Sequence, residues 1–142
     1  MAAGVTAPLY TRDILRLAAS IPGQRPFDEM GEAVVVRSPA CGSRVAMRAT
    51  LDSAGRVAAI EQAVEACAFG QAAAALVGMH ATGKSRADAA AALAGVERWL
   101  DEDAAEPWPG LAALDPARTR RGRHGAVLLP FRALVAAIEE SQ

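Results

Sequence analysis

The chain has little of several things, and each shortage excludes something. Of 142 residues only three are Phe, two Trp and one Tyr. A nucleic-acid surface of interleaved aromatic and basic residues is therefore not expected, and a net charge of −1 argues against a general polyanion binder. Two cysteines are too few for a disulfide scaffold. No apolar run approaches the ~18 residues that a membrane-crossing helix needs. No basic stretch leads into an apolar segment and a cleavage site, so the expected compartment is the cytoplasm. There, cysteines are more often metal-binding or reactive than structural. Lysine is nearly absent: Lys84 stands alone against 14 arginines, an imbalance read as the codon usage of a GC-rich bacterial genome.

What is present is alanine. There are 35 alanines, against 30 residues of Leu, Ile, Val and Phe together. A core can form, thin in aromatics and padded with small side chains. The length fits one domain, residues 1–142. Residues 9–21 read as a helix, with Ile14, Leu17, Ala18 and Ile21 at helical spacing and Ile21-Pro22-Gly23 as its stop. Glu32–Arg37, Arg44–Leu51 and Val57–Ala66 read as strands, the last two joined by the turn Asp52-Ser53-Ala54-Gly55. Cys67–Met79 reads as an alanine-rich helix, and Ser85 with Asp88 forms a capping pattern ahead of another. Residues 95–118 are broken by Pro107, Pro109, Gly110 and Pro116, with Trp99, Leu100, Trp108, Leu111 and Leu114 as anchors. A last helix is expected to begin at Pro130, with Phe131, Leu134, Val135 and Ile138 as its apolar stripe. Helix, three strands, then helices predicts an α+β domain: a three-stranded antiparallel sheet with helices packed on one face.

The two cysteines acquire meaning from this reading. Cys41 and Cys67 fit no zinc-knuckle spacing. In a hairpin turning between Ser53 and Ala54, however, they fall almost opposite each other at its open end. Opposed Cβ atoms in such a pair are about 4.5–5.5 Å apart, so one metal or a disulfide could join them. Cys41 lies in the small-residue loop Ala40-Cys41-Gly42-Ser43, which permits close approach. Cys67 lies at a predicted helix N-terminus, a place that favours the metal-binding thiolate. The alternative is two ordinary buried cysteines.

Ser38-Pro39-Ala40-Cys41-Gly42-Ser43, the two-strand gap to Cys67, Leu76-Val77, Gly83-Lys84-Ser85 and Leu129-Pro130-Phe131-Arg132-Ala133-Leu134 together resemble the iron–sulfur cluster assembly scaffold family of IscU, SufU and the NifU N-terminal domain. The match runs from about residue 9 to 140. The long stretch after Lys84, with an inserted segment at about 95–118, is similar to the SufU branch. The family site has three cysteines and an aspartate, with a histidine beside the third cysteine in the IscU type. Carried over by position, its first two cysteines are Cys41 and Cys67, its aspartate is Ser43, its third cysteine is Ala126 and its histidine position is Gly125, with His124 one residue earlier. The resemblance implies a scaffold without enzymatic turnover. It would take sulfur from a cysteine desulfurase and hold iron or an iron–sulfur cluster for recipient apoproteins. A [2Fe–2S] cluster takes four protein ligands, which two Cys41 and two Cys67 of a homodimer would supply. The alternatives are zinc on Cys41, Cys67, His124 and a water in a sulfur-transfer accessory, or a degenerate member acting as a non-metal binding or regulatory module.

The other polar signals have plainer readings. His80 suits a helix C-terminus. Gly83-Lys84-Ser85 lacks the upstream glycine of a phosphate loop. The run Arg118, Arg120, Arg121, Arg123 reads as a solvated face or a docking surface for an acidic partner. It also stands where the IscU type carries its chaperone-recognition segment, and it does not match that segment.

Overall fold

A computed structural model describes residues 10–39, 42–102 and 105–142. Helix α1 (Arg12–Ala18) starts at Thr11, whose hydroxyl accepts a hydrogen bond from the Ile14 amide at 3.2 Å. It is shorter than the apolar spacing suggests. The Ser20 amide already donates to the Leu17 carbonyl, and the chain then turns at Gly23. Gly23 has φ +71, and a Cβ there would stand 2.5 Å from the Ile60 carbonyl oxygen, so only glycine fits. This approach lets residues 23–25 lie along the outer strand of the sheet, with the Gln62 amide donating to Gly23 and the Arg25 amide to Gln62.

The sheet has strands β1 (Val34–Arg37), β2 (Arg44–Leu51) and β3 (Val57–Glu65), antiparallel in the order β1-β2-β3. Val45, Met47 and Ala49 alternate onto one face and enter the main core. Helices α2 (Ala68–His80) and α4 (His124–Ser141) pack there, with α3 (Arg86–Asp101) against α4. The expected α+β arrangement is what the chain adopts. On the opposite face the paired Ala46 and Ala63 are buried under Met30, which follows the single 3₁₀ turn Phe27–Glu29. Small strand residues allow that thin cover to lie close.

Alanine sets the packing of α2. Ala72, Ala73, Ala74 and Ala75 are all fully buried, so the helix is enclosed around most of its girth rather than along one stripe. Gln62, on β3, reaches into this contact and donates its amide hydrogens to the carbonyls of Ala74 and Pro22. Ser85 and Asp88 form the expected reciprocal cap of α3.

Two expected boundaries shift. The irregular segment does not begin near residue 95, because α3 continues to Asp101. Ala89, Ala92, Val96, Trp99 and Leu100 keep its stripe buried, and Gly95 is where Pro107 packs on the helix, with 2.6 Å left for a Cβ. Pro130 does not open the last helix, which starts six residues earlier at His124. Ala126, Val127, Leu128 and Leu129 are buried, and their packing outweighs the one hydrogen bond that proline deletes. The acceptor deprived of that donor is the Ala126 carbonyl, four residues back. The expected anchors Trp99, Leu100, Trp108, Leu111 and Leu114 are all buried. Trp108 donates its indole N–H to the Leu76 carbonyl at 2.9 Å and meets the Phe131 ring edge-on at 5.3 Å.

Candidate functional site

Three chain ends converge at one edge of the molecule. The first is the β1–β2 turn, closed by the Ser38 amide donating to the Ser43 carbonyl at 2.9 Å and the Gly42 amide to the Ser38 carbonyl at 3.1 Å. Gly42 has φ +71, which glycine adopts without strain. Ser38 and Ser43 are both buried. Cys41 lies outside the described residues.

The second end is the step from β3 into α2. Cys67 is the N-cap, in extended backbone conformation, and its carbonyl accepts from the Gln71 amide at 2.9 Å. Its side chain makes no capping bond, and its thiol is half-buried and free. β2 and β3 pair Val45 with Val64 and Arg44 with Glu65. Continuing that count sets Cys67 opposite position 42, one residue from Cys41. The expected register is shifted by an irregularity between Thr50 and Leu51, which a sequence with a simple four-residue turn does not announce.

The third end is the start of α4. A Cβ on Gly125 would stand 3.1 Å from Ser38 Oγ, so this glycine lies directly against the β1–β2 turn. A Cβ on Gly70, in the first turn of α2, would stand 2.7 Å from the Ala66 Cβ, 3.2 Å from the Ala126 carbonyl oxygen and 3.5 Å from the Ala126 Cβ. Gly70 and Ala126 therefore form the close contact between α2 and α4 beside Cys67. Neither was singled out by residue chemistry, since neither carries any; spacing to Leu129-Pro130 alone marked position 126.

His124 goes elsewhere. Its Nε2 lies 2.9 Å from the Arg118 carbonyl oxygen and its Nδ1 3.6 Å from Asp101 Oδ1. Both ring nitrogens face the α3 end and the following loop, and Nε2 is taken up by the Arg118 carbonyl. Arg118 is likewise internal: it donates to the carbonyls of Trp99 and Glu102, bonds Asp115 and stacks on the Trp99 ring at 4.8 Å. It is a strut of the irregular segment rather than part of a free basic face.

Immediately below the site, Arg44 and Glu65 make a two-pronged pair. Arg44 Nε donates to Oε1 at 2.6 Å and its terminal nitrogen to Oε2 at 3.0 Å. The guanidinium lies over the Phe27 ring at 3.7 Å. The hydrogen bond from Arg44 holds the Glu65 carboxyl below the usual carboxylate range, and the same bond raises Arg44. Equal counts outward from the turn would pair Arg44 with Ala63; the irregularity between Thr50 and Leu51 brings Glu65 opposite it instead.

Among the described residues no cluster of three or more His, Cys, Asp or Glu side chains could hold a metal ion. Near Cys67, Ser43 offers a neutral hydroxyl, a weak ligand for a cation, and Ala126 offers only a methyl group.

No family model matches this chain, and no curated protein matches it. Solved structures do. It is similar to the N-terminal part of a nitrogen-fixing NifU-like protein from Brucella abortus, with 26% identity, TM-score 0.80 and 94% of each chain covered. A putative iron–sulfur cluster assembly scaffold protein for the SUF system from Fervidobacterium islandicum shares 17% identity, TM-score 0.75, over 92% of this chain and 96% of that one. A hypothetical protein matches at 20% identity and TM-score 0.68, over 89% of this chain and 94% of its own.

Proposed function

We propose that this chain, IscU/SufU/NifU-like in fold over nearly its whole length, is a scaffold-like protein of iron–sulfur cluster assembly in the cytoplasm. It carries iron or a nascent [2Fe–2S] cluster as cargo on Cys41 and Cys67 and passes it to recipient apoproteins. The observation that supports this reading is the placement of Cys67: an uncapping thiol at a helix N-terminus, beside the β1–β2 turn and the start of α4. The sulfur source is a cysteine desulfurase. Four thiolates come from two copies of the chain, because Ser43 and Ala126 leave one copy with two. The reading involves carriage, not turnover.

The zinc alternative draws less support, because His124 Nε2 lies against the Arg118 carbonyl and its Nδ1 faces Asp101. One observation favours a different second reading. Ala126 is buried against Gly70 with no gap for a ligand, as in a site closed over by packing, which fits a module that binds without metal.

The test is the iron, zinc and acid-labile sulfide content of anaerobically purified protein, with its mass in solution, beside a Cys41→Ser/Cys67→Ser variant. Iron and sulfide in matched amounts on a dimer, lost in the variant, is the expected result. Zinc alone, lost in the variant, would replace the scaffold reading with sulfur-transfer accessory work. No metal in either protein would end both and leave the non-metal module.

A further inference from the structure

We propose that the Arg44–Glu65 pair is the positioning device of the candidate site, holding the Cys67 turn in fixed relation to the β1–β2 turn. The inference rests on reading Cys41 and Cys67 as a working pair. Cys41 is three residues before Arg44 in the chain, and Cys67 is two residues after Glu65.

Arg44 and Glu65 are the last paired rung of β2 and β3. Beyond them the strands part. The Ser43 carbonyl turns to Ser38, and Cys67 becomes the N-cap of α2. The spacing of the two turns is therefore set at this rung. An exposed ion pair is ordinarily loose and contributes little. This one differs in three ways. It is two-pronged, which fixes direction as well as distance. Its guanidinium is seated on Phe27, from the segment that follows the 23–25 bracket on β3. Arg37, paired with Arg44 across β1 and β2, adds a second positive charge acting on Glu65. The other cross-strand pair, Arg48 with Glu61, has a single contact at 3.1 Å and lies away from the site.

The test uses the full chain equilibrated with reduced and oxidised glutathione. Closing Cys41 to Cys67 transfers two electrons and two protons to one glutathione disulfide, giving two reduced glutathiones. The equilibrium reads the effective concentration of one thiol at the other. Glu65→Ala and Arg44→Ala are each expected to lower it about fivefold. The charge swap Arg44→Glu/Glu65→Arg is expected to restore most of the loss, and Arg86→Ala, which breaks the remote pair with Glu139, to change nothing. Urea midpoints of the same variants separate positioning from general loosening. The proposal is overturned if Glu65→Ala matches the wild type, if the loss tracks the urea midpoint and the swap restores neither, or if the wild type closes no more readily than the urea-unfolded chain. A pair that closes readily on a protein carrying no metal would defeat the scaffold reading and leave the positioning role standing.

Discussion

The two ends of α2 meet their neighbours in different ways. At its C-terminal half Leu76 is covered by Trp108, whose indole bonds the helix backbone and whose ring meets Phe131, with Leu111 and Leu114 buried in the same core. At its N-terminal end the contacts are Gly70 on Ala126, Ala66 on Gly70 and Gly125 on Ser38. Large side chains set the first end. The second also buries a ring, Phe69, which Tyr10 meets edge-on at 5.1 Å, but on the side that meets α4 it brings backbones close. The contacts that join the candidate site's elements are thus the small ones.

The contrast is broken most directly at the Trp108 contact. Trp108→Ala removes a buried ring and leaves the Leu76 carbonyl without its donor, with an expected loss of about 3–5 kcal/mol in urea unfolding. The small end is broken by size. Gly70→Val would force a side chain into a gap already 2.7 Å from Ala66 and is expected to cost about 1–3 kcal/mol by overpacking. If Gly70→Val proved more costly than Trp108→Ala, the ranking of the large contact over the small one would be reversed. In either case the same unfolding curves decide.

This difference also explains how much was legible beforehand. Large apolar anchors announce themselves by type, so Trp99, Trp108, Leu111 and Leu114 could be named as buried before any fold was known. Periodicity placed β2 to the residue, and the Ser85–Asp88 pattern placed the start of α3. Glycine and alanine contacts carry no such mark. The Gly70–Ala126 approach depends on how two helices distant in sequence cross, and nothing in either residue foretells it. The preference of Pro130 for a helix's first turn is local, whereas the four residues ahead of it are buried by tertiary packing, Ala126 against Gly70 of α2. His124 was chosen for its chemistry, yet its direction is set by Asp101 and the Arg118 carbonyl, both far from the thiol motif.

A second comparison lies between the helix starts. α3 begins with a full side-chain cap, and α4 begins with none. Hydrogen bonds from the Ser85 backbone and side chain, with Arg56 nearby, hold the Asp88 carboxyl below the usual aspartate range. A carboxyl depressed in the folded state stabilises above its unfolded value, and the contribution disappears as pH falls through the folded one. The α3 start is therefore expected to loosen only below about pH 4. Amide exchange at Ala89 and Ala90 followed on acidification checks this, with Asp88→Asn as the variant that removes the pH step. Exchange at the start of α4 is expected to show no matching step from a cap of its own.

The smallest change in stability carries the sharpest question about the site. Ala126→Cys replaces one hydrogen by a sulfhydryl at a position buried against Gly70, and a loss of about 1 kcal/mol or less is expected if the contact can yield. The same substitution supplies a third thiol beside Cys67 within a single chain. If two copies share one cluster in the unaltered protein, the variant is expected to retain more iron and sulfide per chain and to depend less on dimer formation, read by metal analysis across protein concentration. If the start of α4 has closed over an abandoned site, the variant is expected to unfold more readily and to gain no metal. The two outcomes move stability and metal content in opposite directions, so a single preparation measured both ways decides between a shared site and a closed one.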